Sequence, residues 1–260
     1  MVIKVFADLQ ALSHAAARLF AKEACRAIEA RGQFSVLLAG GETPRRAYEI
    51  LARQPLRDMV PWEQVQFFWG DERYVPPDDQ RSNARMARQT LLDLVPVPAA
   101  HIHPIPYRSS PRESAAEYED ILRAFFNNGP PRFDLVFLGL GENGHTASLF
   151  PGTYAVEERE RWVTDVYVAE QGIYRVTLTA PLFNRAALVA FIVAGGGKAL
   201  ILRKVLEGSM EPRRIPAQLI KPVNGTLLWL VEREAARLLS HDCLTDAPLR
   251  PHPRPRHHSN

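Results

Sequence analysis

Cysteine is almost missing from this 260-residue chain: there are two, Cys25 and Cys243. They lie far apart and in no metal-ligand spacing, which argues against a disulfide framework and for a reducing compartment. No apolar run approaches the ~20 residues that a membrane-spanning helix needs. Residues 1–10 also lack the basic-then-apolar order of a secretion signal. Basic residues barely outnumber acidic ones, 32 against 29, and no concentrated basic stripe offers the charge that a nucleic-acid backbone demands. These absences speak against a membrane span and a nucleic-acid partner, and they make the cytoplasm the expected compartment. What is present is ordinary globular composition, 46% hydrophobic and 23% charged. A chain of this length buries most of the surface its unfolded form exposes, so its core needs no covalent staple.

Short apolar runs alternate with stretches of helical period. Strands are predicted over 2–6, 36–39, 66–69, 135–138, 176–179, 188–193 and 227–230. Helices are predicted over 9–31, 44–53, 83–92, 111–126, 181–186, 198–207 and 232–239. Ser110-Pro111-Arg112-Glu113 has the form of a capping box with proline at the first helical position. Gly32 reads as a helix stop and Thr43-Pro44 as a helix start. Alternating strands and helices predict an α/β fold with a mainly parallel sheet covered on both faces. Residues 1–240 are expected to form one domain, and 241–260, proline-rich from Pro248 onward, read as a disordered tail.

Ligands of such sheets bind at the carboxyl ends of the strands, and the chemically suggestive stretches cluster there. Ala39-Gly40-Gly41-Glu42-Thr43-Pro44-Arg45-Arg46 joins a strand to a helix. Its glycines permit a sharp turn that exposes N–H groups, and the helix N-terminus adds partial positive charge. Arg45 and Arg46 fall in a first helical turn that disfavours cations, so a bound anion is expected to offset them. Trp69-Gly70-Asp71-Glu72-Arg73 sets three charges directly after a buried strand. Gly139-Leu140-Gly141-Glu142-Asn143-Gly144 is a literal GxGxxG after a strand, with Asp165 near the distance of a ribose-binding acid, so a dinucleotide site is one reading. Pro151-Gly152 leaves room for only about two helical turns after the glycines. That favours a second reading, a polar cradle that presents His145 as a candidate base. Arg175-Val176-Thr177-Leu178-Thr179 is the fourth stretch. In the fifth, Val193-Ala194-Gly195-Gly196-Gly197-Lys198-Ala199, a lysine stands ready to meet phosphate as a point charge. Ile192 and Ala199 exclude a Walker A loop.

Taken together, these five stretches resemble the 6-phosphogluconolactonase family, in order from about residue 40 to 239. The combination of Asp71-Glu72-Arg73 with Gly144-His145-Thr146-Ala147-Ser148-Leu149-Phe150-Pro151 carries the resemblance, supported by Pro216-Ala217, Leu228-Trp229-Leu230 and Ala235-Ala236. It implies a Rossmann-like three-layer αβα sandwich that hydrolyses 6-phospho-D-glucono-1,5-lactone in the oxidative pentose phosphate pathway. It also implies no metal and no nicotinamide cofactor, with a small phosphorylated sugar lactone as partner. A monomer or small homo-oligomer is expected, and the sequence does not choose between them. Position by position, His145 corresponds to the general base and Arg73 to an active-site arginine. Arg175 and Lys198 correspond to basic residues near the substrate, with Lys198 on the phosphate. Gly40, Gly41 and Thr43 correspond to the first phosphate-side loop, and Asp71 joins the substrate-binding set.

Two positions depart from the family pattern. Glu42 stands where serine is common, so a hydroxyl donor is missing and the carboxylate is expected to turn away from the anion. Asn143 stands where aspartate is usual. It is counted here as a catalytic position beside His145, and its neutrality sets the expected acidic limb of activity near the ordinary histidine value of about 6.5. The N–H groups of the 139–144 loop, with Arg73, are expected to stabilise the oxyanion. Ser148 lacks a nucleophile-elbow context and reads as structural. The related glucosamine-6-phosphate deaminases follow Gly-His with Ile-Ala-Phe-Asn-Glu-Pro, and their glutamate position is Phe150 here. A non-catalytic sugar-phosphate sensor is the third reading, but no helix-turn-helix segment precedes residue 36.

Overall fold

The runs 34–38, 65–69 and 135–138 are buried at every position, a pattern that a strand shows when both faces of its sheet are covered. A computed structural model describes residues 1–240 of the chain; the expected tail, with Cys243, lies outside the described residues. In chain order the strands are β1 (Val2–Phe6), β2 (Phe34–Leu38), β3 (Val65–Trp69), β4 (Asp71–Arg73), β5 (Ile102–His103), β6 (Leu135–Leu138), β7 (Val163–Val168), β8 (Ile173–Leu178), β9 (Leu188–Val193) and β10 (Thr226–Glu232). The helices are α1 (Leu9–Arg31), α2 (Glu42–Leu51), α3 (Leu56–Met59), α4 (Asn83–Thr90), α5 (Pro111–Phe125), α6 (Ala180–Phe183), α7 (Ala199–Glu207) and α8 (Arg233–Ala236).

The main sheet runs β1-β10-β9-β6-β2-β3-β5, and every neighbouring pair in it is parallel. From β2 the chain builds outward through β3 to β5, then returns to the other flank of β2 and builds through β6, β9 and β10. The direction therefore switches between β2 and β6, and a crevice opens outside their carboxyl ends. The α/β class and the parallel sheet expected from the sequence are both present.

Local chemistry sets the helix ends. Asp8 caps α1 by accepting from the Ala11 N–H at 2.8 Å, and Gly32 closes it in the left-handed region at φ 75°. The Ser110 hydroxyl accepts from the Glu113 N–H at 3.2 Å, half of the expected capping box. The Glu113 carboxylate takes the Ser109 hydroxyl. Along α1 the buried Leu12, Ala16, Phe20 and Ala24 recur at intervals of four, one stripe of a 3.6-residue period. Phe20 meets Phe34 edge-on, with ring centroids 5.3 Å apart.

Two buried tyrosines fix the strand ends that carry the site. The Tyr48 hydroxyl bonds both the N–H and the C=O of Ala39, each at 3.0 Å. Tyr118 does the same at Trp69, at 2.9 and 3.2 Å. Backbone groups that neighbouring strands do not take are thereby satisfied just before Gly40 and Gly70, and each one left unpaired would cost about 1–3 kcal/mol.

The structure corrects the sequence reading at the small sheet. Residues 176–179 were expected as a strand of the parallel sheet; the strand there, β8, is the centre of a separate antiparallel sheet, β4-β8-β7. The charge run Asp71-Glu72-Arg73 is itself a strand, stabilised by pairing with β8 that hydrophobic patterning does not reveal. β5 and β7 also lie outside the predicted set. The helices expected over 181–186 and 232–239 shorten to four residues each.

Candidate active site

A cleft of about 440 Å³ opens at the carboxyl ends of β2, β3, β6 and β9, across the switch point. The residues predicted from sequence converge on it. Gly40, Gly41, Thr43, Asp71, Arg73, His145, Arg175 and Lys198 line it, and Asn143 is bonded to His145.

The loop after β6 is folded around His145. Its Gly141 N–H donates to the His145 carbonyl at 2.8 Å, and the Gly144 N–H donates to the Gly141 carbonyl at 3.0 Å. A Cβ on Gly141 would stand 2.0 Å from the His145 Cε1 and Nδ1 atoms, so glycine is required for the ring to lie where it does. No helix follows the glycines, and the space a pyrophosphate would need beside Gly141 holds the imidazole. The dinucleotide reading fails on both counts. The expectation that the loop's amides stabilise an oxyanion is also reduced, since those of Gly141 and Gly144 are spent inside the loop.

Asn143 fixes the histidine tautomer. Its Oδ1 accepts the His145 backbone N–H at 3.1 Å and faces the ring Nδ1 at 2.6 Å. A backbone N–H can only donate, so the shared Asn143 atom is the oxygen, and Nδ1 must carry the ring proton. Nε2 is left as the basic nitrogen. The ring stacks on Phe150 with centroids 4.1 Å apart. Burial and then the Arg175 charge push the His145 pKa down to about 4, with Asp71 pulling it up and Lys198 and Arg73 adding smaller downward effects. This corrects the limb expected near 6.5: neutrality of Asn143 alone would leave the ordinary value, but burial and the cations do not.

That shift has a consequence for folding. A depressed histidine makes the folded state the weaker proton binder, so its contribution is complete above pH 6.5 and lost as pH falls toward 4. Between those values the Tm of the wild type is expected to drop about 5 °C more than that of His145→Asn. Equal slopes in a thermal scan series would contradict it.

Opposite the histidine, the small sheet presents charges in register. Arg73 on β4 pairs directly with Arg175 on β8, an arrangement of like charges that costs stability unless compensated. Asp71 Oδ2 lies 3.5 Å from Arg175 Nη1 and accepts the Ser148 hydroxyl at 2.6 Å. Ser148 is thus a buried brace for Asp71, in line with its structural reading. The Nε atoms of both Arg73 and Arg175 are buried without a partner among the described residues. Glu72 has a different task. It accepts from the N–H groups of Arg73, Asn83 and Ala84 at 2.7, 2.7 and 2.8 Å and from the Ser82 hydroxyl at 3.0 Å. It therefore anchors the start of α4, and burial pushes its carboxyl up while those amides pull it back.

At the first loop, Gly40 is held by Asn83: a Cβ there would stand 1.9 Å from Asn83 Oδ1. Asn83 in turn donates to the Asp71 carbonyl at 2.9 Å. A bound anion was expected to offset Arg45 and Arg46, and the chain itself supplies a carboxylate that pairs with both. It is Glu42, at 2.9 Å from Arg45 Nε and 3.2 Å from Arg46 Nε, and its own pKa is lowered chiefly by the Arg45 hydrogen bond. The carboxylate has turned to its own helix, as its place in the loop requires. On the far side, Lys198 Nζ sits 3.7 Å from Glu142 Oε1.

Comparison with known proteins adds an independent line. Residues 7–229 match the family model described as glucosamine-6-phosphate isomerases/6-phosphogluconolactonase. The chain belongs to that family. The 6-phosphogluconolactonase of Synechocystis is 45% identical over 218 residues, which cover 82% of this chain and 88% of that protein. The Nostoc 6-phosphogluconolactonase is 41% identical over 242 residues, covering 92% and 98%. The solved structure of 6-phosphogluconolactonase from Trypanosoma brucei superposes with a TM-score of 0.80 at 29% identity, covering 92% of this chain and 98% of that one.

Two cleft residues of this family member, Gln171 and Glu142, were given no role from sequence. They act through contacts made across the fold. Asn83, which follows the N-cap serine Ser82, was read only as the end of the stretch that begins at Trp69. Gln171 bonds a guanidinium nitrogen of Arg175, a contact set by the β7–β8 hairpin and invisible to spacing. No described helix is long and apolar enough to cross a membrane.

Proposed function

We propose that this chain hydrolyses 6-phospho-D-glucono-1,5-lactone to 6-phosphogluconate in the cytoplasm, with His145 as general base. The observation that carries the mechanism is the 2.6 Å contact between Asn143 Oδ1 and His145 Nδ1, which leaves Nε2 unprotonated at neutral pH. Water attacks C1 of the lactone as Nε2 takes its proton, a role that contributes about 10²–10⁴ in rate. Negative charge gathers on the carbonyl oxygen, and Arg73 is the stabilising cation. The tetrahedral species collapses with cleavage of the bond between C1 and the ring oxygen, and the imidazolium returns its proton to that oxygen. Because the lactone is already an ester, no covalent intermediate is required. Arg175, Asp71 and the Gly40-Gly41-Thr43 turn position the sugar, and Lys198 meets the phosphate, so remote binding energy orients the reacting carbon.

Proton release from freshly prepared lactone, run beside glucosamine 6-phosphate, tests this reading. Turnover of the lactone alone is expected, and turnover of the amino sugar alone would overturn it. Phe150, stacked on His145, gives the site an apolar wall where a deaminase would use its glutamate.

The phosphate assignment predicts that Lys198→Ala raises KM about 10- to 100-fold, the value of one charged hydrogen bond. Unphosphorylated gluconolactone should lose a similar factor with the parent enzyme. Equal kcat/KM for both lactones would sink the assignment.

A further inference from the structure

The cleft's cations differ in how they are held. Arg175 is braced by Asp71 and Gln171, Arg73 donates to the Arg81 carbonyl at 2.6 Å, and Arg45 and Arg46 are tied to Glu42. Among the described residues Lys198 has only Glu142. Their 3.7 Å separation is an ion pair without a hydrogen bond, and the Glu142 side chain is 75% exposed against 25% for Lys198. Glu142 Oε1 also lies 3.3 Å from where a Cβ on Gly197 would stand. The bare glycine run lets the carboxylate rest against the loop that carries Lys198.

We propose that Glu142 is an internal counter-ion for Lys198, displaced by the incoming phosphate, so that it sets how much negative charge a ligand needs to bind. This rests on the phosphate role given to Lys198 above. The pair is loose enough to exchange: exposed ion pairs are individually weak. The competitor is a monoanion, whereas a phosphate monoester carries about −1.5 to −2 at pH 7 with three acceptor oxygens. A dianion wins the exchange and spends the ammonium's donors. A singly charged ligand gains little by it. Glu142 therefore acts as a specificity-determining residue through Lys198.

A double-mutant cycle on inorganic phosphate binding, followed by calorimetry, tests the pair without needing turnover. A failure of the lactonase reading would leave this measurement intact. Glu142→Gln should tighten phosphate about two- to five-fold at low salt, and the gain should shrink in 0.3 M salt as screening weakens the pair. In a Lys198→Met background the same substitution should have almost no effect. In turnover, Glu142→Gln should act on KM and leave the pH dependence set by His145 in place. Unchanged phosphate affinity in Glu142→Gln would overturn the proposal. So would equal tightening in both backgrounds, since that would be general repulsion and not competition for Lys198.

Discussion

Replacing His145 by asparagine is expected to lower kcat by about 10²–10⁴-fold while KM changes little. Asparagine keeps a polar group of similar size beside Phe150 but has no nitrogen that titrates. The two carboxylates of β4 are engaged elsewhere. Asp71 is engaged by the Ser148 hydroxyl at 2.6 Å and by Arg175 at 3.5 Å, and Glu72 is committed to the amides that open α4. The phosphate role is proposed for Lys198 and its loop, which the substitution does not touch. The measurement is steady-state proton release with the phosphorylated lactone. A kcat within a few-fold of wild type would remove His145 from the chemistry.

Gly141→Ala should be nearly as damaging although it removes no functional group. The added methyl carbon would stand 2.0 Å from two atoms of the imidazole, far inside contact distance, so the ring or the loop must move. Any such movement lengthens the 2.6 Å bond to Asn143 and misdirects Nε2. Displacing a reacting group by about 1 Å can cost roughly 10²-fold, and a loss of that order in kcat is expected. Gly141 has no positive φ, so the effect is steric and not one of backbone strain. Wild-type turnover in Gly141→Ala would show that the loop tolerates a displaced ring and that the tautomer clamp is dispensable.

These effects could be read only partly from the chain. The buried strands of the main sheet were legible because their apolar runs have no polar alternation to dilute them, and the end of α1 because Gly32 punctuates it. Asp71-Glu72-Arg73 was legible as a site but not as a strand. Its pairing partner lies about a hundred residues onward, and three charges carry no β pattern of their own. The Val163–Val168 strand alternates only weakly, and its pairing with β8 is not written in its own pattern. At the site, the glycines and His145 announced themselves by type and position. The depressed pKa of His145 did not, because it arises from burial together with Arg175 and Lys198, which come from β8 and the loop after β9. Glu42 was visible as a departure. Its pairing with Arg45 and Arg46 follows from i, i+3 and i, i+4 spacing, a signal present in the sequence and outweighed there by the expectation of an anion.

The cations that depress His145 are also those assigned to the phosphorylated substrate. A bound dianion neutralises part of their charge, so the base strengthens when the substrate arrives. The acidic limb of kcat should accordingly lie at higher pH than that of kcat/KM.

The most direct test of the account is an NMR titration of the ¹⁵N-labelled imidazoles, with His145→Asn used to assign the resonance. His145 is predicted to carry its proton on Nδ1, to keep Nε2 unprotonated at pH 7, and to titrate near 4. In Asn143→Asp the new carboxylate beside Nδ1 should raise that midpoint by about one to three units. A proton on Nε2 in the neutral form, or a wild-type midpoint near 6.5 that Asn143→Asp leaves unmoved, would contradict it.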